Sequence, residues 1–206
     1  MVYMDSSEQT KRNNESIESV FRHVNREVWI VTSSVGERRG GLVATWVSRA
    51  SLDSDRPAVL IGIAPNHYTA EIIDSSKAFA LHLITREQID IAWNFAIGSG
   101  RIRDKFANID ATTGQTGSPI LTRCLAWIEC QVFARLPSGD RTYYWADVVA
   151  AENFADDVPL RERDLIEAAS KEQLELLRHD RGSDIEIQRP LQDKWRDEMP
   201  SILRPA

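Results

Sequence analysis

Two segments of the chain place polar donors at the point where an apolar strand pattern ends. The first is Gly41–Ser51, in which the hydroxyls of Thr45, Ser48 and Ser51 follow apolar residues. The second is Ile61–Thr69, where an apolar run ends in polar side chains ahead of a predicted helix. Two such strand ends side by side form a pocket, whose donors can bind a phosphate group and the edge of a flat ring. The sequence therefore predicts a site for a ligand that carries both.

These segments, with three further ones, occur in an order that resembles the flavin reductase-like family, the split-barrel proteins that bind FMN. The further matches are Glu71–Leu81, the tripeptide Asp104-Lys105-Phe106, and Leu125–Cys130 ahead of a closing strand at Trp145–Val149. The resemblance extends from about Phe21 to Ala151. It implies a mainly β (α+β) fold, an FMN-binding split β-barrel with flanking helices and a C-terminal helical extension. It also implies a homodimer with the flavin pocket at its interface.

The residue types and the resemblance together give a set of candidate cofactor-binding residues. The set is Ala44, Thr45, Trp46, Val47, Ser48, Ser51, Ala64, Asn66, Thr69, Arg101, Lys105 and Phe106. The resemblance implies that the bound group is FMN, with FAD as the alternative, and that NAD(P)H is the co-substrate. The backbone N–H groups of Ala44 to Val47 can reach the ring edge if this strand end is unpaired.

Each of these assignments has a simpler structural alternative. Thr45 and Ser48 can simply face solvent from a strand, and Trp46 can belong to the core instead of the ring wall. The start of a predicted helix favours an anion near Asn66 and Thr69, but capping explains Thr69 equally well. The cations around Lys105 can neutralise a phosphate or can form an ordinary solvated loop.

The closing hairpin departs from the family pattern at one position. Many flavin reductases carry a histidine there, in a Gly-Asp-His context near the nicotinamide, whereas this chain has Gly139-Asp140-Arg141. Arg141 is therefore the candidate residue on the nicotinamide side. It can bind a nicotinamide phosphate, or the site can receive no nicotinamide at all.

No catalytic side chain is expected, because hydride transfer from a nicotinamide to a flavin needs no protein nucleophile. The chain has no G-x-S-x-G, P-loop or G-x-G-x-x-G motif, which argues against hydrolases and nucleotide kinases. The four histidines, His23, His67, His82 and His179, lack the spacing of metal ligands. We therefore expect no metal site.

The composition is that of an acidic protein with one sizeable core. Of 206 residues, 42% are hydrophobic and 27% charged, and the formal net charge is −6. This balance argues against a nucleic-acid or anionic-membrane partner, and no apolar run approaches the roughly 20 residues of a membrane span. The polar segment Met1–Glu15 does not resemble a signal peptide, so we expect a cytoplasmic protein. Cys124 and Cys130 are interpreted as reduced core residues on one face of a strand.

We predict three regions: a flexible N-terminus at 1–15, a split-barrel domain at 16–155 and a charged helical C-terminal extension at 156–206. A short amphipathic helix at about 16–25 is expected to lie on the core, and strands are predicted at 28–35 and 42–48 around a turn at 37–41. A capping box at Thr85–Gln88 should start a helix that stops at Gly98, and 101–119 should be a surface loop. Pro190 is expected to start a second helix in the extension.

The leading functional hypothesis is an FMN-binding flavin reductase that transfers hydride from NAD(P)H to flavin and supplies reduced flavin to an oxygenase partner. One alternative is an electron-transfer protein in which a protein donor, facing Arg141, serves a fixed FMN. A second alternative is a non-catalytic scaffold built on the barrel dimer. The resemblance does not distinguish NADH from NADPH.

Overall fold

The computed structural model describes residues 6–204, which form nine strands and five α-helices. The strands are β1 Trp29–Val35, β2 Arg38–Ala44, β3 Val47–Arg49, β4 Ala58–Ile63, β5 Ala78–Leu83, β6 Ala111–Thr113, β7 Pro119–Leu121, β8 Ala126–Pro137 and β9 Thr142–Asn153. The helices are α1 Ser6–Phe21, α2 Tyr68–Ser76, α3 Ile89–Ala96, α4 Glu162–Glu167 and α5 Lys171–Glu198. Short 3₁₀ turns lie at Arg86–Gln88 and Ser201–Leu203.

The main sheet is antiparallel and curls until its two edges approach each other. Its strand order is β2-β1-β5-β8-β9-β4-β3, so β2 and β3 are opposite edges. Only Thr45 and Trp46 connect these two strands along the chain, and a connection of that length spans at most about 10 Å. The Gly62 N–H donates to the Trp46 carbonyl at 2.9 Å and ties the junction together. The predicted split-barrel fold is confirmed.

Both faces of the sheet are covered at its β2 edge, because α2 and α3 lie on opposite sides of this strand. Successive strand residues point to opposite faces: a Cβ added at Gly40 would meet Ile72 of α2, and one added at Gly41 would meet Phe95 of α3. Val31 accordingly lies in one core cluster with α2, whereas the preceding residue, Ile30, packs with α3. The two adjacent glycines let both helices approach the strand closely.

Three predicted strand and turn boundaries were wrong. The segment predicted as one strand at 42–48 is divided between β2 and β3, because the chain crosses there from one sheet edge to the other. The turn lies at Gly36, whose φ is 58°, so Gly40 and Gly41 belong to β2 instead of the turn. The loop predicted at 101–119 includes β6 and the first residue of β7.

The two helical predictions for the chain ends also need correction. Helix α1 starts at Ser6, inside the segment predicted to be flexible, and its apolar residues Ile17, Val20 and Phe21 are exposed instead of lying on the core. A periodic apolar pattern identifies a helix but does not say what covers it. Pro190 lies inside α5 instead of starting a helix. Residues 1–5 lie outside the described part of the chain.

Both cysteines are free and buried, but they do not share a strand face. Cys124 precedes β8 and packs with the α3 cluster, whereas Cys130 packs on the other side with the α2 cluster. Burial raises the pKa of the Cys124 thiol to about 11 and raises that of Cys130 further. Neither thiol is therefore reactive at neutral pH. Within residues 6–204, no helix is long and apolar enough to cross a membrane.

Replacing His82 with glutamine is expected to reduce the acid sensitivity of the fold. His82 is fully buried on β5; its Nδ1 lies 3.1 Å from the Ile30 carbonyl, and its Nε2 accepts from the Leu121 N–H at 3.1 Å. These partners require the neutral imidazole, and burial lowers its pKa from 6.5 to about 4. This contribution to stability is complete above pH 6.5 and is lost as the pH falls toward 4.

For wild type, the His82 contribution to the free energy of unfolding should fall by about 2 kcal/mol between pH 7 and pH 5. Urea unfolding at both pH values, with wild type and His82→Gln in parallel, isolates this term from the titration of carboxyl groups. Equal losses in the two proteins would contradict the assignment of a neutral buried imidazole.

Candidate functional site

Two cavities meet where β2, β4 and the N-terminus of α2 come together. The strand-end cavity, of about 120 Å³, is lined by Leu42, Thr45, Trp46, Gly62, Ile63, Ala64, His67 and Arg141. The helix-end cavity, of about 300 Å³, is lined by Gly41, Leu42, Asn66, His67, Tyr68, Thr69, Gly98, Ser99, Gly100, Ile102, Lys105, Asp180, Ser183 and Asp184. Because Leu42 and His67 line both, the two cavities are neighbours on either side of these residues.

The strand-end cavity has a flat wall with a cation beside it. The Arg141 guanidinium lies 4.6 Å from the centre of the half-exposed Trp46 ring. Gly62 lies beneath Trp46 and Tyr143, and a Cβ there would be only 3.0 Å from the Tyr143 ring and 3.3 Å from the Trp46 ring. An adjoining groove is lined by Trp46 together with Val47 and Ser48. Such a surface suits a planar ligand.

The helix-end cavity contains a buried ammonium group. Lys105 is 6% exposed, and its Nζ donates to the Phe95 carbonyl at 2.7 Å. Burial, and to a smaller extent the nearby Arg103, lower the pKa of Lys105 to about 8, and Asp180 partly opposes both. Within residues 6–204, no carboxylate oxygen forms an ion pair with this Nζ. A buried cation without a paired carboxylate is a favourable place for an anionic ligand.

The loop that carries Lys105 is fixed to the end of α3. Asn94 donates from Nδ2 to the Lys105 carbonyl at 2.7 Å. Arg103 donates to Asn94 Oδ1 at 3.1 Å and to the Ile97 carbonyl at 3.1 Å, and so satisfies the end of the helix. The Asn94 side chain thus holds the Lys105 carbonyl, and the Phe95 carbonyl holds the Lys105 ammonium. Arg103 instead caps the C-terminus of α3.

The N-terminus of α2 presents Asn66 and His67 to the helix-end cavity. The N-cap residue is His67 and Thr69 lies inside the helix, so capping does not explain the burial of Thr69. Glu71 pairs with Arg101 at 2.8 Å, and the Arg101 guanidinium lies 5.3 Å from the Tyr68 ring centre. Arg101 thus lies outside the cavity, in an adjoining surface groove.

The side chains of α5 close the helix-end cavity. Asp184 accepts from Asn66 Nδ2 at 2.7 Å and from His67 Nε2 at 2.9 Å. Asp180 accepts from the Gly98 N–H at 3.3 Å, and Gln188 accepts from Arg141 at 2.7 Å. Contacts with His67 and Asn66 lower the pKa of Asp184. The spacing 180, 184, 188 places all three on one face of the helix.

The structure brings most of the predicted site residues into this region. Thr45, Trp46, Ala64 and Arg141 line the strand-end cavity, and Asn66, Thr69 and Lys105 line the helix-end cavity. Ala44 and Phe106 instead pack in the core clusters, and Ser51 lies in the β3–β4 connection, where its hydroxyl accepts from the Asp53 N–H. Whether any of them contacts a cofactor stays a prediction.

Sequence reasoning missed three groups that line the cavities: His67, Gly98–Gly100 and the carboxylates of α5. His67 stands next to Asn66 at the predicted helix start, so its position could have been found. The run Gly98-Ser99-Gly100 was interpreted only as a helix stop, which it is, since Gly98 has a φ of 71°. The charged pattern of α5 gives no signal of where the helix docks.

Comparison with known proteins relates this chain to a described family. A family model described as a flavin reductase like domain matches residues 21–163. The Synechocystis protein named diflavin flavoprotein A 1 is 27% identical over 145 residues, which are 68% of this chain but 24% of that protein. The chain therefore spans about a quarter of that curated relative.

Solved structures share the fold. Nitrilotriacetate monooxygenase component B from Mycobacterium thermoresistibile has a TM-score of 0.64 and 25% identity, and covers 74% of this chain and 83% of its own. The NADH:FAD oxidoreductase SgcE6 of Streptomyces globisporus has a TM-score of 0.64 at 22% identity, over 78% of this chain and 92% of its own. The second likeness is evidence of the fold alone.

Proposed function

The chain belongs to the flavin reductase-like family, and from this premise we propose that it binds FMN and transfers hydride to it from NAD(P)H. The observation that carries the proposal is the pair of cavities: a flat wall of Trp46 beside Arg141 on one side of His67, and the buried Lys105 ammonium on the other. A flavin nucleotide needs a flat apolar wall for its ring and donors for its phosphate.

The phosphate end is proposed to lie in the helix-end cavity. Lys105 supplies a buried positive charge, and Asn66 and His67 supply side-chain donors beside the N-terminus of α2. Helix N-termini favour anions. FMN fits this donor set because its phosphate is a dianion near neutral pH, having a second pKa of about 6.

The ring end is proposed to lie in the strand-end cavity, against Trp46 and the junction between β2 and β3. Gly62 leaves space beside the aromatic rings that no larger residue would leave. The hydroxyl of Thr45 and the backbone of Val47 are placed to meet the polar ring edge. When bound, the flavin supplies the hydride acceptor; the protein orients the ring and keeps one face open.

Arg141 is proposed to meet the electron donor, since it lies next to the Trp46 ring. The name of the Mycobacterium relative, a monooxygenase component, supports a further proposal that reduced flavin passes to an oxygenase partner.

We also propose that the protein is a homodimer. Strands β8 and β9 carry exposed apolar side chains, Phe133 and Val149, that a second copy can cover. Sedimentation at micromolar concentration should then give twice the chain mass, and a monomer would contradict the homodimer.

The proposed activity is tested by flavin binding and steady-state turnover. We expect FMN to bind at micromolar concentration or tighter, and oxidation of NADH or NADPH to depend on added FMN. FAD and riboflavin, measured in parallel, identify the preferred flavin. Protein that binds neither FMN nor FAD at micromolar concentration would refute the proposal.

A second candidate function is electron transfer from a protein donor to a fixed FMN. The bond from Arg141 to Gln188 favours it, because it holds the guanidinium over the Trp46 ring, where it would compete with a stacked nicotinamide. Tight FMN binding with negligible NAD(P)H oxidation would identify this function instead.

A further inference from the structure

The barrel and its loops supply no carboxylate to the helix-end cavity. Its two acidic lining residues, Asp180 and Asp184, both come from α5, whereas the barrel side contributes Lys105, His67 and Asn66. A cavity whose fixed walls are cationic and rich in donors has thus been filled with carboxylates by a separate element. The two carboxylates thus lie among the same cationic and donor groups that an anionic ligand would contact.

The two carboxylates engage donors that an anion would use. Asp184 occupies the side-chain donors of Asn66 and His67, at 2.7 and 2.9 Å, and Asp180 occupies the backbone N–H of Gly98 at 3.3 Å. A phosphate in this cavity would need the same donors, and its charge would be repelled by both carboxylates. The carboxylates and a bound phosphate therefore exclude each other.

The middle of α5, between Leu177 and the close backbone contact of Gln192 with Gly139, is held mainly by hydrogen bonds, so its displacement breaks few apolar contacts. Gln188 is the only residue of α5 buried in the structure, and the contacts at 180, 184 and 188 are hydrogen bonds. The N-terminal part of α5 is anchored separately, because Leu177 packs against the α3 core cluster. Release of the middle does not require release of this anchor.

We propose that α5 is a ligand-mimicking strap, in which Asp180 and Asp184 engage the donors of the proposed phosphate subsite and must leave when a phosphorylated flavin binds. This inference rests on the proposed function. It adds that the α5 carboxylates compete with the FMN phosphate for the same donors. The strap lowers the apparent affinity for FMN by the free energy needed to open it. Riboflavin lacks the phosphate and does not compete for these donors.

The test compares FMN with riboflavin on full-length wild type, Asp180→Ala/Asp184→Ala and a control, Asp193→Ala/Asp197→Ala, which removes two carboxylates elsewhere on α5. We expect the first variant to bind FMN at least about tenfold more tightly at pH 7, riboflavin within about twofold of wild type, and the control to match wild type. Unchanged or weaker FMN binding would overturn the proposal. An equal gain for both flavins would also overturn it, because α5 would then be only a steric cover.

A second measurement needs no variant. Amide hydrogen exchange of wild type should become faster over residues 178–192 when FMN is added, and should not change with riboflavin. Slower exchange there with FMN would contradict displacement. If no flavin binds to wild type or to either variant, the proposed flavin function fails, and that result is distinct from flavin binding that ignores α5.

Discussion

Replacing Gly41 with alanine is expected to lower the free energy of unfolding by about 3 kcal/mol. A Cβ at this position would lie 2.4 and 2.6 Å from two atoms of the Phe95 ring. Phe95 is fully buried and packs edge-on against Phe106, with ring centres 5.3 Å apart, so it has little room to move. The added methyl group must therefore displace α3 from β2. Urea unfolding followed by circular dichroism measures the loss.

Gly182→Ala is the matched control for this experiment. Gly182 lies inside α5 with no atom near its Cβ position, so alanine there should stabilise the protein by up to about 1 kcal/mol. Combining Gly41→Ala with Phe95→Leu should recover part of the loss, because leucine removes the atoms that clash. Wild-type stability of the Gly41→Ala protein would contradict the close packing of α3 on β2.

Replacing Lys105 with methionine is expected to weaken FMN binding by about ten- to a hundredfold. This factor corresponds to the loss of one hydrogen bond to a charged group, which contributes roughly 1.5–3 kcal/mol. Methionine matches the lysine chain in shape but cannot neutralise a phosphate. The variant loses an unfavourable buried charge but also the bond to the Phe95 carbonyl, so its free energy of unfolding should stay within about 1 kcal/mol of wild type. Isothermal titration with FMN and riboflavin measures the effect, and riboflavin affinity should be unchanged.

The same lysine predicts how FMN affinity depends on pH. The pKa of Lys105 is about 8 without ligand, and a bound phosphate favours the charged form. Binding above pH 8 then requires uptake of a proton, so affinity should fall by up to about tenfold per pH unit between 8 and 10. The other titratable side chains that line this cavity are His67, Tyr68, Asp180 and Asp184, and the comparison with Lys105→Met separates their effects from that of the lysine. Lys105→Met should show no such fall, and equal pH profiles would contradict phosphate binding by Lys105.

The sequence predicted the site best where a local pattern fixes the geometry. The capping box at Thr85 and Gln88 is present, and α2 begins at Tyr68, within the polar segment where a helix start was predicted. Thr45 and Asn66 were recognised because polar residues follow strand patterns, and the fold brings their two segments together. Local patterns of this kind fix an element and its end without reference to the rest of the chain.

What could not be predicted depends on contacts between distant parts of the chain. The break at Thr45 and Trp46 arises because the sheet curls and its edges meet, and a continuous β-rich run carries no mark of it. The docking of Asp184 on Asn66 and His67 joins residues more than 100 positions apart. Solvent-exposed and docked charged helices have the same composition, so only the fold distinguishes them.

The central claim is tested most directly by the visible absorbance of FMN-loaded protein, kept anaerobic, before and after addition of NADH and then NADPH. Rapid bleaching of the oxidised flavin band by one of the two is the predicted result, and it would identify the donor. A bound flavin that neither nucleotide bleaches would contradict the reductase assignment and favour the protein-donor function. The Lys105→Met protein, measured with saturating FMN, should bleach at a similar rate, because Lys105 is proposed to hold the phosphate end and not the ring.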